Sequence, residues 1–348
     1  MRDVAEQCGL SPSTVSDVLN NRSRTWASEE TRRRVFEAAE ALGYRPHSAA
    51  RALRTGKTYI VSFIYHRDWT ELPITFDGAA EIMAGQLGEK GYELCLHVYL
   101  DQNQLMEGLE DIVRRRTCDA VVLYGQESDV AVQGAFLAKH QLPFVVKGRH
   151  ERGNPDWYQV DYDHEGMMRS VVRHLAHHGH RRIAYIGYPH TEVYQEHLFA
   201  GFLTEYRLTY GENFPDTMIH LVRSGTPLSE SLERWFSLPE ELRPTALAIG
   251  TGDNEWREIE QFLAQRGVTI GGDPGQIAVC GQATHFLHLA FGEGHFFADI
   301  SHASIAQVTV QKLLIPILEG HDPAPRIRRI LPSLKITPSL KIAVPSCP

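Results

Sequence analysis

The stretch that decides the amino-terminal fold is RDVAEQCGLSPSTVSDVLNN, residues 2–21. Its first part predicts a short helix over residues 3–8, which Gly9 ends in the left-handed conformation. Ser11 is a suitable N-cap for a second helix over residues 13–20. Two short helices that are joined by a tight, glycine-containing turn predict a helix-turn-helix.

The second helix is predicted to have one apolar face and one polar face. Val15, Val18 and Leu19 follow the spacing i, i+3, i+4, so we expect them to face inward. The second helix of a helix-turn-helix fits the major groove of duplex DNA, with its first residues at the base edges. The outward-facing candidates for contact with double-stranded DNA are therefore Ser13, Thr14, Ser16, Asp17 and Asn20.

A third helix is predicted after Ser28, which is a suitable N-cap. Its expected buried stripe consists of Val35, Phe36, Ala39 and Leu42. Three short helices with apolar faces are enough to form a small all-α head.

Residues 2–21, followed by ASEETRRRVFEAAEALGYRPHSAARALRTGKT at 27–58, closely resemble the amino-terminal module of the LacI/GalR family of transcriptional repressors. The resemblance implies a hinge helix after residue 46, which we expect to order only when two copies pair on DNA. It also implies that Leu53 enters the minor groove as a wedge. The alternative is an amphipathic linker with Leu53 packed on the rest of the chain. Further DNA contacts are predicted for Arg24, Tyr44, His47, Arg51, Arg54 and Lys57.

The head departs from the family pattern in two places. Asp17 stands where the family often has an arginine that binds guanine, and a carboxylate accepts from cytosine N4 instead. We therefore expect a shifted base preference. The chain also begins almost inside the first helix, which suggests a truncated or internal start.

Charge is unevenly distributed along the 348 residues. Residues 1–57 carry ten Lys and Arg against seven Asp and Glu, although the whole chain has a formal net charge of −8. A mildly basic head on an acidic body is typical of a head that meets phosphate. The five scattered cysteines and the lack of an apolar run of about 20 residues predict a cytoplasmic protein without a membrane partner.

Beyond residue 57, apolar strand-like runs alternate with helical segments. This alternation predicts an α/β fold, namely a two-lobed, doubly wound parallel-sheet body behind the all-α helix-turn-helix head. The resemblance to the LacI/GalR family implies that this body is of the periplasmic-binding-protein type I kind. The predicted divisions are a head over 1–46, a hinge over 47–57, an N-terminal lobe over 58–160 plus 293–318, and a C-terminal lobe over 161–292 plus 319–345.

The body also resembles the family, through GHRRIAYIG at 179–187 and the proline-threonine-alanine run at 244–246. The resemblance implies a small-molecule effector, a sugar or another metabolite, in the cleft between the lobes. Leu198 and Gln282 stand where the family has a clamping arginine and an aspartate, so a less polar ligand or none at all remains open. The effector candidates are Phe76, Tyr124, Lys147, Tyr188, Glu196, Asp253 and Gln282.

Catalytic and metal chemistry is not supported by any complete motif. His174 and His178 have the i, i+4 spacing of zinc ligands, but no third ligand follows at motif spacing. No phosphate-binding loop and no G-x-S-x-G nucleophile elbow is present. We therefore expect no cofactor, no metal and no enzyme activity.

Taken together, these features predict a homodimeric repressor that binds a pseudopalindromic operator under the control of an effector. One alternative is a small-molecule-binding protein of the periplasmic type without DNA function, and another is an α/β enzyme. DNA binding distinguishes the first alternative, and activity screening distinguishes the second.

Overall fold

The computed structural model describes thirteen segments, within which the chain forms two compact units. One unit, here called the head unit, consists of Met1–Tyr59 and Arg116–Asp119, and the other, the body, contains the remainder. No helix among the described residues is long and apolar enough to cross a membrane. The described segments are residues 1–19, 27–44, 48–66, 78–99, 101–125, 127–148, 156–189, 193–222, 227–271, 276–283, 296–300, 302–332 and 334–336.

The head unit contains four helices: α1 (Arg2–Cys8), α2 (Pro12–Leu19), α3 (Glu29–Ala41) and α4 (Ser48–Thr55). The first three enclose a small core, and the predicted caps are confirmed. Gly9 ends α1 at φ 62°, in the left-handed region that glycine adopts without a steric cost. The core residues are Val4, Ala5, Cys8, Val15, Val18, Val35, Ala38 and Ala39.

Three of the predicted orientations in the head are wrong. Ser16 is buried, because α2 packs against both α1 and α3 and its buried arc is wider than a single i, i+3, i+4 stripe. Phe36 and Leu42 are 51% and 47% exposed. The inward stripe of α3 runs through Val35, Ala38 and Ala39 instead, so Phe36 lies on its flank and Leu42 follows the end of the helix.

The hinge helix α4 is formed in the single chain, which differs from the expectation that it orders only on DNA. Its last turn is closed by local hydrogen bonds. The Thr55 hydroxyl donates to the Arg51 carbonyl at 2.9 Å, and the Gly56 amide donates to the Ala52 carbonyl at 2.8 Å. Gly56 then turns the chain at φ 69°. These contacts satisfy carbonyls that a short helix otherwise leaves to water.

The first sheet of the body has six parallel strands in the order β11-β5-β4-β3-β1-β2. Its central strands are continuous apolar runs, which is typical of parallel strands covered by helices on both faces. The strands are β1 (Ile60–His66), β2 (Glu93–Tyr99), β3 (Ala120–Tyr124), β4 (Phe144–Lys147), β5 (Tyr158–Tyr162) and β11 (Ile327–Ile330), and the intervening helices are α5 (Gly78–Gly88), α6 (Gln102–Arg115) and α7 (Glu127–Lys139).

The second sheet has the order β12-β10-β9-β8-β6-β7 and is parallel except for β12, which pairs antiparallel with β10. The sheets and helices confirm the predicted α/β class. The strands are β6 (Ile183–Gly187), β7 (Ile219–Leu221), β8 (Ala246–Ile249), β9 (Ala278–Ala283), β10 (Phe296–Asp299) and β12 (Leu334–Ile336), and the helices are α8 (His164–His177), α9 (Val193–Tyr210), α10 (Leu228–Phe236) and α11 (Asp253–Gln265).

The predicted lobe boundaries assign two strands to the wrong sheet. Strand β10 pairs with β9 in the second sheet, and strand β11 pairs with β5 in the first sheet. The helical segment between them, formed by α12 (His302–Gln307), a π-helical stretch (Val308–Leu314) and α13 (Ile315–Leu318), packs against α5 and the first sheet. The two crossings between the sheets near the end of the chain therefore come later than predicted, after β10 and after β11. The other boundaries stay predictions.

Helices α8 and α9 are joined by a buried carboxylate that the sequence did not reveal. Glu205 on α9 accepts from Arg169 Nε at 2.9 Å and from Arg173 Nε at 2.8 Å and Nη2 at 3.0 Å. The hydrogen bonds from Arg173, and then those from Arg169, lower the pKa of Glu205 against the opposing effect of burial. This group therefore stabilises the fold in its charged form.

We predict that Glu205→Gln lowers the free energy of unfolding at pH 7 by about 2 kcal/mol, because the charge-assisted hydrogen bonds to both arginines are weakened. Since the pKa of Glu205 is lower in the folded state than in the unfolded state, its stabilising contribution is complete above the unfolded-state pKa of about 4.3. The contribution is lost as the pH falls through the folded-state pKa. Chemical denaturation between pH 3 and pH 8 measures the difference. Glu196→Gln, on the exposed face of the same helix, is the control, and equal effects of the two variants at pH 7 would contradict the prediction.

Candidate nucleic-acid interface and ligand site

The polar face of α2 carries a compact set of hydroxyl groups at its first turn. The Ser11 hydroxyl accepts from the Thr14 amide at 3.1 Å and lies 2.7 Å from Ser13 Oγ and 2.9 Å from Thr14 Oγ1. Ser13 is exposed, and Thr14 and Asp17 are half-buried. The first turn of the helix thus offers several donors and acceptors close together, which is the chemistry that base edges and phosphates require.

The other predicted contact residues of the head fall into distinct environments. Leu53 is 89% exposed on α4, so it belongs to no described core and the packed-linker alternative is wrong. Tyr44 packs in part against the head core. Lys57 is half-buried beside Thr55, whose hydroxyl accepts from the Lys57 amide at 3.3 Å. Asn20, Arg24 and His47 lie outside the described residues, as does the side chain of Arg54.

Arg51 makes a contact that the sequence analysis missed. Its guanidinium lies 3.8 Å from the centroid of the Tyr59 ring, a cation–π distance. The predicted phosphate contact of Arg51 is thus available only together with this stacking or after its release. Nothing in the periodicity of the sequence pairs the two residues, because Tyr59 lies beyond the end of α4.

At the carboxyl edge of the first sheet, two tyrosines and a lysine come together from three adjacent strands. The rings of Tyr65 and Tyr124 are stacked with centroids 5.4 Å apart, and Lys147 Nζ lies 3.6 Å from the centroid of Tyr124. Lys147 is only 7% exposed. Tyr124 and Lys147 are predicted site residues that the fold brings into contact, whereas Tyr65 was missed. Tyr65 lies opposite Tyr124 in the parallel register of β1 and β3, which the local sequence does not reveal.

The carboxyl edge of the second sheet holds a second polar cluster, formed by residues that directly follow β6 and β8 and by residues of β9 and α11. Tyr188 donates to Glu255 Oε2 at 3.1 Å, and burial, followed by the nearby Glu255 carboxylate, raises the pKa of Tyr188. Gln282 Nε2 donates to the carbonyls of Gly250 and Thr251 at 3.4 and 3.3 Å. Because ligands of parallel α/β sheets bind outside the carboxyl ends of the strands, both clusters stand where a ligand is expected.

The remaining ligand-site predictions are not gathered there. Glu196 is exposed on α9, and within the described part of the chain no contact joins it to Tyr188 or Gln282. Leu198, at the position of the family's clamping arginine, is fully buried in the core below. Phe76 and the side chain of Asp253 lie outside the described residues. Glu255, which the sequence analysis missed, is in the first turn of α11, where a loop after a strand leads into a helix.

The histidines at the end of α8 have structural roles in the described chain. The rings of His174 and His178 are 4.4 Å apart, and His180 Nδ1 lies 3.1 Å from Thr245 Oγ1, just before β8. Burial, followed by the neighbouring His178, lowers the pKa of His174 to about 4 and lowers that of His180. Among the described residues, no group of three or more possible ligands is placed to hold a metal ion.

Comparisons with known proteins agree with this arrangement. Residues 1–47 match the family described as bacterial regulatory proteins, lacI family. The HTH-type transcriptional regulator TreR of Escherichia coli K12 is 32% identical over 193 residues, which cover 56% of this chain but only 58% of TreR. The HTH-type transcriptional regulator AglR of Rhizobium meliloti is 31% identical over 288 residues, covering 80% of this chain and 76% of AglR.

Solved structures show the same fold. The lac repressor dimer bound to operator and the anti-inducer ONPF aligns with a TM-score of 0.70 at 20% identity, over 96% of this chain and 98% of that chain. At this level of identity the likeness concerns the fold. It covers both the head unit and the body.

We predict that Gln282→Glu destabilises the protein at pH 7, although the two side chains have nearly the same shape. The substitution replaces an amide donor by a carboxylate oxygen that faces two backbone carbonyls, which costs about 1–3 kcal/mol. The melting temperature is expected to fall by about 2–4 °C for each kcal/mol. Gln261→Glu, on the exposed face of α11, is the control. A melting temperature for Gln282→Glu equal to that of the control would refute the assignment of the Gln282 amide as a donor to the two carbonyls.

Proposed function

The chain belongs to the LacI family of bacterial regulatory proteins, and we propose that it is a sequence-specific, DNA-binding transcriptional regulator that represses its targets as a homodimer in the cytoplasm. A small molecule in the body controls the affinity for the operator. The matching relatives are transcriptional regulators, and the proposal includes no catalytic activity.

The observation that carries the proposal is the helix-turn-helix itself. Helix α2 is fixed by a core shared with α1 and α3 and turns a hydroxyl-rich first turn outward. The family match covers this module from residue 1 to residue 47. A helix held in this way can enter the major groove while Leu53, exposed on α4, separates base pairs in the minor groove. Two copies then read the two halves of a pseudopalindrome.

The effector site is proposed to lie in a cleft that both carboxyl-edge clusters line. Tyr65 and Tyr124 offer an aromatic surface with Lys147 against it, and Tyr188, Glu255 and Gln282 offer polar groups. Apolar and aromatic surfaces with a few placed polar groups are typical of small-molecule sites. The position of Leu198 in the core and the amide of Gln282 indicate that the ligand, a sugar or another metabolite, is held without the arginine and aspartate clamps common in the family.

Regulation follows from the coupling of the two sites. A ligand that favours one arrangement of the lobes biases the dimer toward or away from the geometry in which the two hinge helices pair. The coupling free energy is reciprocal, so operator DNA changes the affinity for the ligand by the same factor. Affinity for DNA is also expected to fall steeply with salt, because lysine and arginine contacts to phosphate release counterions.

We predict that Leu53→Ala weakens operator binding while leaving the fold intact. The wedge contributes by opening a base step, and an exposed leucine contributes little to the stability of the head. A duplex enriched by the wild-type protein from a randomised pool is the probe, and gel-shift titration in low salt is the measurement. Leu208→Ala, an exposed leucine on α9, is the control. Enrichment of no duplex by the wild-type protein would favour the small-molecule-binding alternative.

We further predict that Asp17→Ala changes the preferred bases of the half-site. Removal of a carboxylate that repels phosphate and accepts from cytosine N4 relaxes the choice at one position, by about 1–3 kcal/mol of discrimination. Binding-site selection with both proteins measures the preference. Glu6→Ala removes the same charge from the exposed surface of α1 and should leave the preferred bases unchanged. Identical selected sequences for wild type and Asp17→Ala would rule the role out.

A further inference from the structure

One carboxylate fastens the segment that leaves the hinge helix. Asp119 Oδ1 accepts from the Thr58 amide at 2.8 Å and from the Thr58 hydroxyl at 2.9 Å, and Asp119 Oδ2 accepts from the Tyr59 amide at 2.8 Å. Asp119 is 60 residues away in sequence from Tyr59 but belongs to the same compact unit. Both oxygens are thus engaged, and three charge-assisted hydrogen bonds hold two consecutive residues.

The backbone conformation of Tyr59 is energetically unfavourable for a residue other than glycine. Tyr59 has φ 61°, in the left-handed region that is uncommon for residues other than glycine. Such a conformation persists where surrounding contacts impose it. The Asp119 carboxylate supplies such a contact at the Tyr59 amide, and Arg51 supplies another by stacking on the Tyr59 ring. We call Arg51, Thr58, Tyr59 and Asp119 the hinge clasp.

The clasp connects the hinge helix to two strands that end at the cluster of Tyr65, Tyr124 and Lys147, here called the ligand cluster. From Tyr59 the chain continues directly into β1, and from Asp119 it continues directly into β3. These strands are neighbours in parallel register, from Val61 opposite Ala120 to Tyr65 opposite Tyr124. The clasp therefore stands at the amino ends of the two strands whose carboxyl ends carry the stacked tyrosines.

We propose that Asp119 is a positioning residue for operator binding: through Thr58 and Tyr59 its carboxylate fixes the exit of α4, and so the orientation of the helix that carries Leu53. It touches no DNA itself. Displacements of β1 and β3 at the ligand cluster reach α4 through this clasp. The inference rests on the proposed operator binding and adds to it the residue that couples hinge and body.

The test compares four full-length proteins: wild type, Asp119→Ala, Asp119→Asn and, as the matched control, Asp101→Asn. Asp101 also accepts a backbone hydrogen bond, from the Gln104 amide at 2.9 Å, but it caps α6. Gel shifts use the duplex that the wild-type protein enriches from a randomised pool and a scrambled duplex of the same composition. Hydrogen exchange of residues 48–59 on the enriched duplex reports on the order of the hinge.

We expect Asp119→Ala to lose about tenfold or more in affinity for the enriched duplex, since one charge-assisted hydrogen bond corresponds to about that factor. Affinity for the scrambled duplex, which needs only the basic head, should change less than twofold. Asp119→Asn keeps one carbonyl oxygen as an acceptor and should lie between wild type and Asp119→Ala, with faster exchange over residues 48–59. Asp101→Asn should match the wild type.

Two outcomes overturn the inference. One is a ratio of enriched to scrambled affinity that Asp119→Ala and Asp119→Asn leave at the wild-type value. The other is an equal loss on both duplexes together with a lower melting temperature, which would make Asp119 a merely structural residue. Failure of the wild-type protein to enrich any duplex is a different result, because it removes the proposed function before any variant is compared.

Discussion

Parallel pairing of the strands is the constraint on which the rest of the body depends. A parallel strand can follow another only through a crossover, so helices cover the sheets and the central strands are buried on both faces. Parallel direction also sends all carboxyl ends to one edge of each sheet. Polar residues, which have no place inside a buried apolar strand, therefore lie at that edge: Lys147 contacts Tyr124 at the edge of the first sheet, and Gln282 contacts Gly250 at the edge of the second.

The parallel direction of the strands also determines which residues meet at the opposite edge of the first sheet. The amino ends of neighbouring parallel strands lie side by side, so Tyr59 and Asp119 meet although 60 residues of sequence separate them. A single aspartate just before β3 can then accept hydrogen bonds from the two residues that follow the hinge helix. Strands β1 and β3 thus lead from the edge that carries Tyr59 and Asp119 to the edge that carries Tyr65 and Tyr124.

Three polar groups that the described fold buries are each paired, which explains why these three are tolerated. Glu205 lies between two arginines, the Lys147 ammonium lies against an aromatic face, and Gln282 donates to carbonyls at the end of β8. A buried polar group without a partner destabilises the fold by more than one hydrogen bond stabilises it. Each of these pairs therefore fixes a particular arrangement of helices or strands. The head follows another rule, since its core is small and apolar and its helix ends are satisfied by local caps such as Ser11 and Ser28.

The sequence by itself determined the three head helices with their caps, the α/β class of the body and the family, because these depend on residues close together in the chain. Periodicity could not decide that Ser16 is buried or that Phe36 is exposed, since both depend on which neighbours pack against a helix. Only the tertiary structure decided the sheet membership of β10 and β11, the meeting of Tyr65 with Tyr124, and the hold of Asp119 on the hinge. The physical reason is that such contacts are set by strand order and register, which bring distant residues together and leave no pattern in the local sequence.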